Sequence, residues 1–154
     1  MSSKTEAAML ALLAALKASG TLPEARRSPV FDGVFEGLDA CTAQLSTVLA
    51  LLDGDVVQDV PIGYGPDGPS HHEIVRNAEI EFYVAGPEGD GLNAAFDAGV
   101  RAIYDAIAAS YTLGGVVDGA DAEPAELGVE RAGSRAARTA LIRVALTYVS
   151  TRSY

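Results

Sequence analysis

Hydrophobic and polar residues alternate from Ile74 to Ala85 and then recur at helical spacing as far as Tyr111. The alternation predicts a strand with one buried and one wetter face. Its apolar positions are Ala78, Ile80, Phe82 and Val84. Turn formers fill residues 86–91, with Asp90 as the predicted N-cap of the next helix. That helix, Leu92–Tyr111, has an apolar stripe and is expected to fold back across the apolar face of the strand.

Three further stretches have patterns that predict their structure. Thr5–Ser19 is predicted as a helix, because its larger apolar residues form one stripe: Met9, Leu12, Leu13 and Leu16. Ala140–Val149 alternates but is fairly apolar on both faces, so it is expected to be a central strand antiparallel to Ile74–Ala85. Asp118–Glu126 is acidic and interrupted by Pro124, which indicates a broken edge strand.

The remaining stretches are less regular. Leu22–Ala43 is interpreted as an extended loop, with a short helical turn near Asp39 as an option, and Gly133–Arg138 as a turn. Leu45–Asp53 favours a buried strand, with a short helix as the alternative. Asp53-Gly54 then predicts a turn, and Val56–Ile62 a returning strand.

Gly63–His72 contains three glycines and two prolines, so it is expected to be an irregular, exposed loop that projects as an arm. Loops of this kind often contact partners. The residues of this loop that we take as candidates for an assembly contact are Gly63, Tyr64, Pro66, Asp67, His71 and His72.

These elements together predict an α+β fold, in which a small, mainly antiparallel sheet of about four to five strands packs against two helices. At 154 residues, the chain is expected to form a single domain, residues 1–154. A chain of this length buries roughly 70% of its unfolded surface, which is enough for one core.

The net charge of −10 argues against tight binding of nucleic acid or anionic membranes as a global property. Local basic patches at Arg26-Arg27, or at Arg131, Arg135 and Arg138, stay possible, although solvated arginines are the simpler interpretation. The single cysteine, Cys41, permits no intramolecular disulfide and fits a reducing compartment. Neither a signal peptide nor a membrane span is expected from the first apolar run, which Lys17 interrupts.

No catalytic, cofactor or metal site is expected. His71-His72-Glu73 has metal-ligand residue types, but neighbours in extended chain point to opposite sides. The glycine-rich turn at 86–91 lacks the lysine of a phosphate-binding loop, and Glu88 would oppose an anion. The acidic run 118–126 lacks the spacing of a calcium loop and is better explained as a solvated edge.

The order of these segments resembles that of the tail-terminator (tail-completion) proteins of long-tailed bacteriophages and gene transfer agents. An alanine- and leucine-rich helix comes first, followed by a polar strand resembling His72–Gly86 and a helix like Leu92–Tyr111. A Thr-Leu-Gly-Gly step at Thr112–Gly115 and an acidic stretch lead to a last strand resembling Thr139–Ser150. The resemblance is best over residues 72–151, whereas residues 20–71 depart from the pattern.

The resemblance implies a virion protein, made in the bacterial cytoplasm, that closes the head-proximal end of the tail tube as a homohexameric ring. Such a ring ends tube polymerisation and contacts both the tail tube protein and the head-completion (stopper) protein. DNA passes through its lumen without specific binding, and no membrane is involved. The acidic residues that we expect to face that lumen are Glu79, Glu81, Asp118, Asp121, Glu123 and Glu126. The alternatives are another neck or tail-tube component, or a small dimeric α+β enzyme.

Overall fold

The structure, a computed structural model, describes residues 4–31, 45–66 and 68–150. The predicted α+β class is confirmed, because these ranges form two helices and a five-stranded antiparallel sheet. The elements in chain order are α1 (Lys4–Ala18), β1 (Ser46–Gly65), β2 (Gly68–Pro87), α2 (Asp90–Ala109), β3 (Gly119–Ala122), β4 (Glu126–Ala132) and β5 (Arg135–Ser150).

The sheet runs in the order β1, β2, β5, with β3 and β4 both paired to the outer side of β5. β3 pairs with the end of β5, from Gly119 opposite Thr147, and β4 pairs with its beginning, from Ala132 opposite Arg135. The central position of β5, antiparallel to β2, is therefore confirmed. The broken edge strand is confirmed as well, since Pro124 lies in the gap between β3 and β4.

A tyrosine of α2 forms a hydrogen bond with the segment between β3 and β4. The Tyr104 hydroxyl donates a hydrogen bond to the Glu123 carbonyl oxygen at 2.6 Å. Desolvation raises the pKa of Tyr104, and a hydrogen bond with the backbone of Ala125 opposes that shift. The neutral phenol therefore remains the donor, and this edge of the sheet is fixed to the helix layer.

Both helices pack on one face of the sheet, which we call the helix face. Even-numbered residues of β2 and β5 point to it, and the apolar ones among them are almost fully buried with the stripes of α1 and α2. Phe82 stacks on Phe96 of α2 at a ring-centroid distance of 5.9 Å. The Tyr148 hydroxyl, buried on β5, shares a 2.7 Å hydrogen bond with the Thr5 hydroxyl of α1. The α1 helix predicted as Thr5–Ser19 is thus confirmed to within one residue, and the buried part of its stripe is Ala8, Met9, Leu12 and Leu16.

β1 corrects the sequence prediction for residues 45–72. The strand interpretation of Leu45–Asp53 is confirmed, but the turn predicted at Asp53-Gly54 is wrong, because β1 continues as one strand to Gly65. A β-bulge between Asp53 and Gln58 interrupts its pairing with β2. Gly54 does not form a turn. It lets β1 pass close to the backbone of Asn77 on β2, since a Cβ at position 54 would lie 2.2 Å from the Asn77 carbonyl oxygen.

Several elements begin or end at residues other than those predicted. α2 ends at Ala109, two residues before Tyr111, and Gly89 is its N-cap residue, so Asp90 is not the cap. The carboxylate of Asp90 is still favourable in the first turn, near the positive end of the helix dipole. β5 begins at Arg135, so the predicted turn at Gly133–Arg138 shrinks to residues 133–134. Residues 32–44 of the predicted loop, with Asp39 and Cys41, lie outside the described residues.

Candidate functional site

The most exposed regular structure in the described chain is the outer half of the β1–β2 hairpin. We call residues 56–73 the arm. Its strands remain paired past the last β2–β5 pair, His72 with Ser150, as far as Gly65 opposite Gly68. At about 3.4 Å per residue, the pairs beyond His72 extend the hairpin by about 13 Å. The end of the arm, residues 62–71, is therefore a paired β-hairpin that extends past the last pair with β5, whereas residues 56–61 lie beside pairs of β2 with β5.

Four large apolar side chains of the arm are exposed to solvent. The exposed fractions are 36% for Val56, 57% for Val57, 39% for Val60 and 36% for Ile62. Val60 and Ile62 lie opposite Glu73 and His71 on β2, which places them on the face away from the helices. Val56 lies opposite Arg76 and therefore on the other face from Val60 and Ile62. Exposed apolar side chains on such an element are typical of an interaction site.

The assembly-loop candidates fall on this arm, but their predicted conformation is wrong. Gly63, Tyr64, His71 and His72 belong to paired strands, and only Pro66 is in the turn; Asp67 lies outside the described residues. The glycines and prolines of this segment favour turns, but backbone pairing between β1 and β2 continues up to Gly65 and Gly68 and keeps the chain extended. Gly63 does need its freedom, with φ at 67°.

The two histidines of the arm have separate partners. The Nδ1 atom of His72 lies 2.7 Å from a carboxylate oxygen of Asp59 on the neighbouring strand. The Nδ1 atom of His71 lies 3.0 Å from the Ser70 hydroxyl. The pair His72–Asp59 ties the two strands together at the base of the overhang, which stiffens the arm where the last pairing with β5 ends.

The outer edge of β1 is only partly covered in the described chain. Arg26 forms a parallel bridge to Ala50, with its N–H donating to the Leu49 carbonyl at 2.8 Å and its carbonyl accepting from Leu51 at 2.7 Å. Beyond this bridge the edge carries Asp53, Asp55, Asp59 and Pro61. Acidic residues and proline discourage the addition of a foreign strand. The side chains of the arm are therefore a better contact surface than its backbone edge.

The acidic candidates gather on the face of the sheet away from the helices, which we call the open face. The pairing register places Glu79, Glu81, Asp121 and Glu126 on this face. The backbone N–H of Glu123 donates to the Arg143 carbonyl at 2.8 Å, beside the same cluster. Asp118 precedes β3 and is exposed. Whether any of them lines a lumen stays a prediction.

Arg143 links the strands on the open face. Its guanidinium lies 2.7 Å from Glu126 on β4 and 3.7 Å from Glu79 on β2. The hydrogen bond and charge of Glu126 raise the pKa of Arg143, and Glu79 and Glu123 add to that effect. Since arginine stays charged at any working pH, part of the negative charge on this face is always neutralised.

Glu81 differs from the other acidic residues that were expected to face the lumen, because it is buried. Its side chain is only 7% exposed, and one carboxylate oxygen accepts a hydrogen bond of 3.1 Å from the backbone N–H of Val30. Val30 belongs to a second apolar cluster on the open face, with Val48, Ala50, Tyr83, Ala85 and Ala137. Glu81 therefore holds the segment before residue 32 onto the sheet. Alternation along β2 identified its face correctly but gave no sign of the segment that covers it.

We expect Glu81→Ala to release this segment locally and to cost about 1–3 kcal/mol, because the buried Val30 N–H loses its acceptor. Hydrogen exchange should show a large loss of protection at the Val30 amide. Glu81→Gln keeps an acceptor oxygen and is the matched control, expected to retain most of that protection. Equal protection of Val30 in the alanine variant and the native chain would contradict this role.

The described surface also has grooves, but none brings together a catalytic set. One of them, of about 500 Å³, lies between α1 and α2 and is lined mainly by alanines. Among the described residues, no three His, Cys, Asp or Glu side chains are placed to hold a metal ion. No helix within the described ranges is both long and apolar enough to cross a bilayer. The arm and the open face are the features from which a function can be argued.

Comparison with known proteins adds no relative. Neither protein-family models nor curated proteins match this chain. The resemblance to tail-terminator proteins therefore stays a prediction, and the functional argument depends on the geometry above.

Proposed function

We propose that this protein is a structural subunit that assembles with copies of itself into a closed ring. By the resemblance of residues 72–151, that ring is the tail terminator of a phage or gene transfer agent. It is a homohexamer on the head-proximal end of the tail tube, between the tube protein and the head-completion protein. No bond is made or broken in this role, and the subunit acts through shape and self-association.

The observation that carries the proposal is the arm. A monomer gains nothing from extending a hairpin with Val56, Val57, Val60 and Ile62 exposed, whereas a neighbouring copy can bury them. Burial contributes about 25 cal/mol per Å² of apolar surface, so a few such side chains supply several kcal/mol to an interface. The strand pairing of the arm and the pair His72–Asp59 give it an ordered hairpin, and a preformed contact element lowers the ordering cost of association.

The contact that such an arm makes is head-to-tail. The arm lies at one corner of the sheet and carries Asp59 and Glu73, so two arms that met each other would bring carboxylates together. A surface that binds a different surface on an identical copy generates a ring when the rotation closes, and a filament when it does not. A single protruding arm on an antiparallel sheet therefore suits either a ring or a tube.

The open face suits a wall that DNA passes. Glu79, Asp121, Glu123 and Glu126 leave this face net negative even after Arg143 is counted. Phosphates find little counter-charge on such a surface and would pass it without being held. We propose that the open face is turned towards the lumen.

Sizing of the purified protein by multi-angle light scattering, over a wide concentration range, tests the proposal. We expect a discrete species of six copies, each of 15.9 kDa. Long tubes would favour the alternative of a tail-tube component, since the same head-to-tail contact with an axial rise polymerises. A dimer with a ligand pocket would favour the small enzyme.

A further inference from the structure

The corner of the sheet diagonally opposite the arm carries the other exposed apolar residues of the sheet itself. Leu127 and Val129 on β4 are 62% and 44% exposed. Their partners on β5 are Ala140 and Arg138, so both point to the helix face, at an end that α2 leaves uncovered. The arm and this patch thus lie at opposite lateral edges and opposite ends of the sheet.

Beside the patch is a groove of about 380 Å³ between β4 and the first turn of α2. Its floor is apolar, with Leu92, Val129 and Ala136, and two arginines rise from its wall. Arg138 lies over the Phe96 ring at 4.6 Å and donates to Asn93 at 3.1 Å. Arg131 is 63% exposed at its side chain and pairs with Glu88 at 3.0 Å. The groove offers apolar contact beside two arginines, each of which has a carboxylate partner, Glu88 for Arg131 and Asp97 at 4.0 Å for Arg138.

The arm has the opposite charge. Asp59 and Glu73 lie on it, Asp55 directly precedes it, and no lysine or arginine occurs between Arg27 and Arg76. Two arms brought together would place carboxylates against carboxylates, whereas an arm in the groove meets Arg131 and Arg138. Opposite charge at close range favours the second pairing and disfavours the first.

We propose that the groove between β4 and α2 is the receptor for the arm of the next copy in the ring, with Val60 and Ile62 against Leu127 and Val129. The inference depends on the proposed self-assembly and adds to it the two surfaces that meet. For diagonally opposite corners to meet at one height, the strands must tilt relative to the ring axis, as they do in closed barrels. Arg131 and Arg138 thereby gain a role as the arginines of the groove that meet an acidic arm.

The test uses thiol cross-linking between two differently labelled versions of the full chain, both carrying Cys41→Ser. One version has Ile62→Cys on the arm and the other has Val129→Cys in the groove. A short bis-maleimide added to the mixture is expected to give a covalent heterodimer, while neither version alone gives a dimer. Leu10→Cys, which is 48% exposed on α1, is the matched control and should cross-link with neither.

Two results would overturn the inference. Dimers of Ile62→Cys with itself would show that arms meet arms. A hexamer seen by light scattering, without a cross-link between Ile62→Cys and Val129→Cys, would leave the ring intact and exclude this contact. A chain that neither associates nor cross-links at any concentration would contradict both the inference and the proposed function.

The contribution of charge to this contact is measured separately, through variants of Arg131. Arg131→Glu is expected to weaken association at least tenfold, whereas Arg131→Lys keeps the charge and should weaken it much less. Raising the salt concentration should reduce the difference between these two variants, because exposed charges are screened. Identical association of the Glu and Lys variants at low salt would overturn the assignment of Arg131 to the interface.

Discussion

Gly99→Ala is expected to destabilise the fold by about 1–3 kcal/mol, although alanine is normally the better helix former by about 1 kcal/mol. Gly99 lies in the middle of α2, where the helix crosses β2. A Cβ there would lie 2.2 Å from Cζ and 2.7 Å from Cε1 of Phe82. Phe82 is fully buried and stacked on Phe96, so its ring has no free space to move into. Urea unfolding followed by circular dichroism measures the change.

Gly91→Ala is the matched control for this prediction. Gly91 lies in the first turn of the same helix, and a Cβ there has no atom within 4 Å. We expect this change to be neutral or to stabilise by up to about 1 kcal/mol. Combining Gly99→Ala with Phe82→Leu should recover part of the loss, since the clashing ring is gone. If Gly99→Ala matched Gly91→Ala in stability, the packing of α2 on β2 described above would be wrong.

Val60→Glu together with Ile62→Glu is expected to weaken self-association by at least about 30-fold, or about 2 kcal/mol, without lowering the stability of the subunit. Both side chains are already partly in water, so the monomer loses little. An assembled ring would have to bury two carboxylates against Leu127 and Val129, which is costly. Association measured by light scattering or sedimentation, with urea unfolding alongside, separates these effects.

The control for the arm variant carries the same change in charge elsewhere. Leu10→Glu together with Leu45→Glu replaces two exposed leucines outside the arm, at 48% and 42% exposure. We expect this variant to associate like the native chain. If both double variants weakened association equally, general repulsion between acidic chains would explain the result, and the arm would have no special role.

The strands and helices that pack on the core could be predicted from sequence, because burial of one face gives their apolar residues a regular spacing along the chain. β2, β5 and both helices were predicted in this way, and Pro124 marked the break between β3 and β4. Only part of the arm was predicted: Val56–Ile62 was expected to be a strand and is one, whereas residues 63–72, which no core faces, were expected to be a loop. Its glycines and prolines indicate a loop, yet pairing of two long strands kept it regular. Gly54 looked like a turn for the same reason, although its role is to let β1 pass close to Asn77.

The candidate surfaces were only partly predictable. Alternation along β2 placed Glu79 on the wetter face, but it could not show that Val30 covers Glu81. The groove beside β4 was missed entirely, because it forms where the end of one strand meets the start of a helix distant in sequence. Its sequence signal was the pair of arginines at 131 and 138, which had the simpler interpretation of solvated side chains.

A cryo-electron microscopy reconstruction of the head–tail junction, in the particle whose genome encodes this chain, tests the central claim most directly. The account predicts a closed ring of six copies at the end of the tail tube, with each arm on the neighbouring subunit and the open faces turned inward. A junction built without this chain, or copies that touch no neighbour through residues 56–73, would contradict it.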